Sequence, residues 1–323
     1  MKKAAVLALA FAIGAAAVPA PGAFPGPASH RESLTLSGAW ALYPLAVRWQ
    51  EEFQKTHPGV AIDVQAGGAG KGIADALAGI VDIGMVSREI LPAEVAKGAV
   101  ALAVAKDAVV VTISEKNPFL PEILRRGLKK EDLSAIWIDG PAPTWEELLG
   151  KAGRTVIRVF TRSDACGAAE TWAAYLGGHQ EDLGGIGVYG DPGLAEAVRR
   201  DPLAIGFNNV NFAYDAKTLK PVKGLAVCPL DLDASGAIDA AEAVTATRDD
   251  LTRAIAAGVY PSPPARDLYF VVKGKPREPA LVEFLEWVLG EGQRYVAEMG
   301  YIAVGPDKVA AGLAVVRGAP EKR

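Results

Sequence analysis

Twice in this chain a strand runs through a short glycine-containing turn into a helix, and that pattern restricts it to layered α/β architectures. The first instance is the alternating strand 60–64, the turn Gly67-Gly68-Ala69-Gly70-Lys71-Gly72, a helix over 73–78 and an apolar strand over 81–86. The second is the strand 156–160, the turn Thr161-Arg162-Ser163-Asp164-Ala165-Cys166-Gly167 and a helix over 168–176. Strand, turn, helix, strand is the mark of a parallel sheet. Each turn also presents first-turn N–H groups that lack intrahelical partners, and such groups attract anions. Arg162 sets a planar, permanently charged fork beside the second turn. Two such cradles predict an oxyanion held between two lobes.

The remaining pattern supports two lobes. An amphipathic helix is expected over 44–56, where Leu45, Trp49 and Phe53 recur at spacing four, and His57-Pro58-Gly59 stops it. Strands are expected over 33–36, 100–104, 108–113, 204–207 and 267–273, and helices over 129–137, 145–149, 193–200, 248–257, 279–289 and 293–299. The strand 108–113 leaves the first lobe and the strand 267–273 re-enters it, so the second lobe is inserted into the first. The expected division is a signal peptide and leader over 1–28, lobe 1 over 29–112 plus 265–323, and lobe 2 over 113–264. Lys2 and Lys3, an apolar run over 4–18 and then small, proline-rich residues make the signal peptide. The expected product is an exported, periplasmic protein.

Charge and cysteine content narrow the function. A formal net charge of −4 argues against a nucleic-acid partner. The two cysteines, Cys166 and Cys228, make either one bridge or two buried thiols, and cannot build a cysteine-rich zinc site. Cys166, at a helix start, is also a candidate nucleophile, but no histidine lies near it in sequence. His30, His57 and His179 are expected on the surface. Trp137, Trp145 and Trp172 are expected to pack in the interior, as is Trp40, which also has a place beside the cleft. The turn 67–72 is not a nucleotide loop, because Gly72 stands where a Ser or Thr is needed. Its plain alternative is a tight strand-to-helix turn, and that of Arg162 and Asp164 is a surface ion pair.

Residues 231–242, Asp-Leu-Asp-Ala-Ser-Gly-Ala-Ile-Asp-Ala-Ala-Glu, have calcium-loop spacing. Candidate ligands are Asp231, Asp233, Ser235, Ala237, Asp239 and Glu242, with Gly236 at the sixth-place turn. A structural Ca2+ is therefore expected in the second lobe, against the alternative of an ion-free polar loop. Pro229 departs from a paired-helix setting.

In order along the chain, Ser37-Gly38-Ala39-Trp40-Ala41-Leu42-Tyr43-Pro44, the turn 67–73, Val81-Asp82-Ile83-Gly84, the segment Arg162 to Gly167, Ala204-Ile205-Gly206-Phe207, Tyr260-Pro261 with Arg266-Asp267-Leu268-Tyr269, and 292–301 carry a resemblance. They resemble the periplasmic phosphate-binding proteins of Pst-type ABC importers, in the class II solute-binding fold. The resemblance implies a two-lobed periplasmic-binding-protein-like α/β fold. It also implies an anion site at Leu42, Tyr43, Gly68, Ala69, Gly70, Lys71, Ser87, Arg88, Arg162, Asp164, Cys166, Gly167 and Ala168. Asp164 orients Arg162 in this reading. The family commonly places hydroxyls where this chain has Ala41-Leu42, Ala69 and 165–168, and in some members an aspartate near Ser87. Each missing hydroxyl removes a charged hydrogen bond, typically ~1.5–3 kcal/mol. Lys71 and Arg88 are candidates to replace them.

The expected function is capture of a small oxyanion, most simply phosphate, by a monomer that docks on an inner-membrane ABC permease. The rivals are a sensor or scaffold whose cleft has lost phosphate, and an exported thiol-dependent enzyme using Cys166.

Overall fold

The computed structural model describes residues 32–318. The expected signal peptide and leader, and His30, lie outside the described residues. Nine strands form one curled sheet: β1 Glu32–Gly38, β2 Val60–Ala66, β3 Ile83–Val86, β4 Ala99–Ser114, β5 Arg158–Arg162, β6 Ile186–Val188, β7 Ala204–Asn209, β8 Leu225–Val227 and β9 Ala265–Lys273. Their order is β2-β1-β3-β9-β4-β7-β5-β6, with β8 paired to β4. β1 pairs in parallel with β2 and β3, and β5 with β6 and β7. The remaining pairings, β3 with β9 and β4 with β9, β7 and β8, are antiparallel. The two strand–turn–helix units thus build two parallel patches, and the long strands β4 and β9 join them.

Two large cores explain the two lobes. One gathers Leu36, Trp49, Phe53, Ile83, Leu102, Phe270 and Phe284. The other gathers Val111, Trp137, Trp145, Trp172, Phe207 and Leu251. Burial of one such side chain contributes ~1.5–3 kcal/mol, so each lobe has its own source of stability. β4 passes between them: Leu102 and Val104 belong to the first core, Val109 and Val111 to the second. β9 crosses in the opposite sense, from Ala265 to Phe270. The crossing lies at Asp107 opposite Arg266.

The expected strands 100–104 and 108–113 are one 16-residue strand. Lys106 and Asp107 interrupt the apolar pattern, but pairing with β9 runs on through both, past one irregularity between Ala103 and Ala105. The helix expected from residue 44 is Tyr43–Thr56, burying Leu45, Ala46, Trp49 and Phe53. Trp49 anchors it further by donating to the Gly292 carbonyl at 2.8 Å. The helix expected from 193 starts at Gly190, and that from 168 starts at Gly167. Helix Pro306–Arg317 and the short strands β6 and β8 had no strong periodic signal. His57 is a half-buried residue rather than a surface one, its ring stacked on Phe53 at 3.9 Å between centroids. No helix among the described residues is long and apolar enough to cross a membrane.

Candidate functional site

The two cradles meet. Helix Ala69–Ala78 begins after Gly68, which holds φ +90°, a conformation L side chains rarely adopt. Its N-terminus lies against the second turn, and Gly70 N–H donates to the Ala165 carbonyl at 3.1 Å. A Cβ at Gly68 would lie 2.8 Å from that carbonyl oxygen and 3.0 Å from Asp164 Oδ2. On the other side, Ser87 follows β3 and abuts the first residue of helix Gly167–Leu176. A Cβ at Gly167 would lie 2.3 Å from both the Ser87 carbonyl oxygen and Oγ. Two helix N-termini from opposite lobes, Ser87 and the Asp164-Ala165 turn therefore meet at one place between the lobes. Their first-turn N–H groups lack intrahelical acceptors, and the local helix dipoles favour negative charge.

Arg162 ends β5 behind the second turn, its side chain fully buried. Nε and Nη2 donate to Asp164 Oδ1 and Oδ2 at 2.8 and 2.6 Å, and Nη1 donates to Asp191 Oδ2 at 2.5 Å. Burial works against the guanidinium charge, but Asp191, Cys166 and Asp164 outweigh it and hold the proton more firmly than usual. A guanidinium has five N–H donors. Three are engaged in these bonds, which leaves one on each terminal nitrogen. Asp164 thus takes two of the Arg162 donors, and its Oδ1 also accepts from Gly190 N–H at 3.1 Å. These are buried contacts and not a solvated surface pair.

Other expected members stand elsewhere. Lys71 donates to Ser37 Oγ at 2.9 Å and pairs with Asp75 one turn on. Arg88 is forked onto Glu94, at 3.0 and 2.7 Å. Both cations are thus engaged within the first lobe and do not replace the missing hydroxyls at Arg162. Leu42 and Ala41 are buried, in a turn where Leu42 N–H bonds Ala39 O and Tyr43 N–H bonds Trp40 O. Trp40 reaches the opposite lobe, with Tyr189 and Phe212 edge-on at 6.3 and 6.4 Å. Trp137, Trp145 and Trp172 are core residues. Ala69 and Ala168 stand at helix starts without a hydroxyl, and Ser87 brings its Oγ against Gly167.

Cys166 and Cys228 are free, buried thiols. Burial pushes Cys166 up to about 12, against the pull of Arg162. Its Sγ instead accepts from Ala169 N–H at 3.4 Å as a helix cap. A buried thiol held neutral is a poor nucleophile.

Sequence reasoning missed three supports. Asp191 opens helix Gly190–Arg200, and its Gly-Asp-Pro setting is a helix-start signal that could have flagged it. Gln180 pins the anion turn from both sides, accepting from Cys166 N–H at 3.0 Å and donating to the Asp164 carbonyl at 2.8 Å. Asn209 N–H donates to Asp191 Oδ1 at 3.1 Å, and Asn209 Oδ1 accepts from Arg266. Arg162 is thereby linked through Asp191 and Asn209 to the strand crossing. The available signal for Asp107 and Arg266 was charge inside otherwise apolar strands.

The calcium-spaced loop gathers part of its expected set. Carboxylate oxygens of Asp231, Asp233 and Glu242 lie within 4.8 Å of one another. Asp231 accepts from Ser235 and Gly236 N–H at 3.0 and 2.9 Å. Ser235 Oγ is turned to the Ala237 carbonyl at 2.9 Å, and Asp239 caps Ala241 and Glu242 N–H. Ser235, Ala237 and Asp239 are therefore engaged with the loop's own backbone.

A family model described as the PBP superfamily domain matches residues 25–291. The phosphate-binding protein PstS of Methanocaldococcus jannaschii is 27% identical, over 83% of this chain and 82% of that protein. PstS of Bacillus subtilis is 30% identical over 57% of this chain and 59% of its own. An ABC-type phosphate transport receptor from Vibrio cholerae superposes with a TM-score of 0.61 at 19% identity, covering 84% of this chain and all of that one.

Proposed function

The chain belongs to the PBP superfamily, and on that premise we propose that it is an exported solute-binding protein that captures a small oxyanion between its lobes for an ABC importer. The observation that carries this reading is the convergence of two opposed helix N-termini on a cleft backed by Arg162. Amide hydrogens and a guanidinium suit a tetrahedral oxyanion. The relatives named above as phosphate-binding point to phosphate. Closure of the lobes would exclude water and strengthen these bonds. The closed form would then dock as a monomer on the permease. Covalent chemistry is not needed, and a thiol held neutral at Cys166 supports a binding role over a catalytic one.

Titration calorimetry with phosphate, arsenate, sulfate and molybdate tests the reading. Phosphate should bind, and more weakly than to a hydroxyl-lined cleft, by roughly tenfold for each charged hydrogen bond forgone. Silence for all four would leave the sensor or scaffold reading, which the hydroxyl-poor Ala69 and Ala168 favour.

We also propose that the loop 231–242 holds a structural calcium ion through Asp231, Asp233 and Glu242, and that Ser235, Ala237 and Asp239 rearrange to complete the shell. Extracellular sites of this kind bind at ~10⁻⁴–10⁻³ M. Saturating calcium should then raise the melting temperature by about 2–4 °C, and Asp233→Asn should abolish the rise. Asp231→Ala is the poorer probe, because its loss also frees two backbone N–H groups whether or not calcium is bound. Identical melting of the native protein with calcium and with chelator would refute the site.

A further inference from the structure

A pocket of about 500 Å³ opens on the second lobe. All its lining residues fall between 115 and 246, and none comes from the first lobe, from the turn 161–167 or from the strand crossing. Glu115, just past the end of β4, is its member nearest the crossing along that strand. About eight residues of extended chain, roughly 26 Å, separate Glu115 from Asp107. The pocket is therefore a different place from the one where the two helix N-termini meet.

Its floor is β8 with Pro229 after it, and Leu124, Val222 and Ile238 form its walls. β8 pairs with β4 alone, so no further strand continues the sheet there. The walls are tied down by the backbone. Ile238 N–H donates to the Arg125 carbonyl at 2.9 Å, and Leu128 N–H to the Pro229 carbonyl at 3.1 Å. Leu124 is 40% exposed, and Ala243 and Ala246 are exposed beside it. At ~30 Å³ per water the hollow has room for on the order of fifteen waters, which is the size of a small organic ligand site.

The charged residues sit at the rim. Glu115 is engaged, its Oε2 accepting from Gly224 N–H at 2.8 Å. Lys220 and Lys223 are exposed, and neither ammonium has a partner among the described residues. The rim thus offers two free positive charges in a protein whose formal net charge is −4. An inorganic anion would leave the apolar walls wet, and a neutral hydrocarbon would leave both ammonium groups unused. A guest with an apolar body and one anionic end satisfies both.

We infer that this pocket is a second ligand site, for a small amphipathic acid whose carbon chain lies on Leu124, Val222 and Ile238 and whose carboxylate stands at the rim beside Lys220 and Lys223. The inference is independent of the anion held between the lobes.

Calorimetry of the purified protein at low salt with butanoate, hexanoate, octanoate and 1-octanol, alongside inorganic phosphate, tests it. Octanoate should bind with a Kd below about 1 mM, and affinity along the acid series should rise roughly fourfold per buried methylene. Lys220→Gln with Lys223→Gln should weaken octanoate by about three- to tenfold, the range of exposed ion pairs, and leave 1-octanol unchanged. Ala246→Trp, at an exposed position, should fill the hollow and weaken both at least tenfold while the melting temperature holds. Phosphate affinity should be the same in every variant, and saturating phosphate should not displace octanoate. Absence of octanoate binding, an affinity that ignores chain length, binding that survives Ala246→Trp or the lysine substitutions, or displacement by phosphate would each overturn the inference. A protein that ignores phosphate while octanoate binds and responds to these substitutions would sink the oxyanion reading and leave this one standing.

Discussion

Arg162→Ala should destabilise the protein by about 3–5 kcal/mol, the usual cost of removing one partner from a buried ion pair. The reason is the company Arg162 keeps. Its side chain and that of Asp191 are fully buried, and that of Asp164 is 6% exposed. Without the guanidinium, two carboxylates remain in an apolar setting with their strongest donors gone. Urea unfolding should show a lower midpoint at unchanged slope. The double variant Arg162→Met with Asp191→Leu should recover part of the loss, because it removes a charge of each sign together. Asp164 would still be unpaired, so recovery should be incomplete. The folded fraction of Arg162→Ala should also bind phosphate at least tenfold more weakly. A loss of stability below about 1 kcal/mol would contradict the burial assigned to this trio.

The second large effect is expected at Gly167. An alanine there places a methyl carbon 2.3 Å from both the Ser87 carbonyl oxygen and its hydroxyl. The carbonyl belongs to the backbone of the opposite lobe and cannot swing aside as a side chain can. Gly167→Ala should therefore hold the lobes apart. Overpacking of this kind costs about 1–3 kcal/mol, here charged to closure, so oxyanion affinity should fall roughly 10–100-fold. Folding stability should barely change, since alanine favours the helix Gly167–Leu176 by up to ~1 kcal/mol. Small-angle scattering in saturating phosphate should report a larger radius than the native protein gives. Ser87→Gly in the same background should rescue little, because the obstructing carbonyl remains. Full affinity and native dimensions in Gly167→Ala would show that the lobes do not meet at this contact.

These two residues illustrate different degrees of legibility. The glycine of the second turn is marked locally: a strand pattern, a break, then a helix pattern. Arg162 is marked by its type and place, which point to an anion. Its depth is not marked. Asp191 lies 29 residues on, and nothing in the spacing between them states that β6 and helix Gly190–Arg200 fold back to bring the two together. Lys71 and Arg88 show the converse. Each is a cation beside a cradle in sequence, yet each finds a nearer carboxylate, Asp75 or Glu94, in its own lobe. Proximity along the chain nominated them, and local pairing removed them.

The strand crossing was hidden for another reason. Lys106-Asp107 and Arg266-Asp267 break apolar runs, and a broken run reads as a strand end. In the folded protein the break marks the passage between two cores, where Asp107 and Arg266 are buried between the two apolar clusters and outside both.

From its sequence alone, the chain determined its alternating elements, its α/β class and the two glycine-containing turns that open helices, because hydrophobic period and glycine placement act over a few residues. Only the tertiary structure decided that Arg162 is locked by Asp191, that Lys71 and Arg88 are engaged elsewhere, and that Arg266 is buried at the crossing with Asn209 as its hydrogen-bond partner. The energy of a charge depends on its neighbours in space and on its distance from water, and neither is set until distant segments pack.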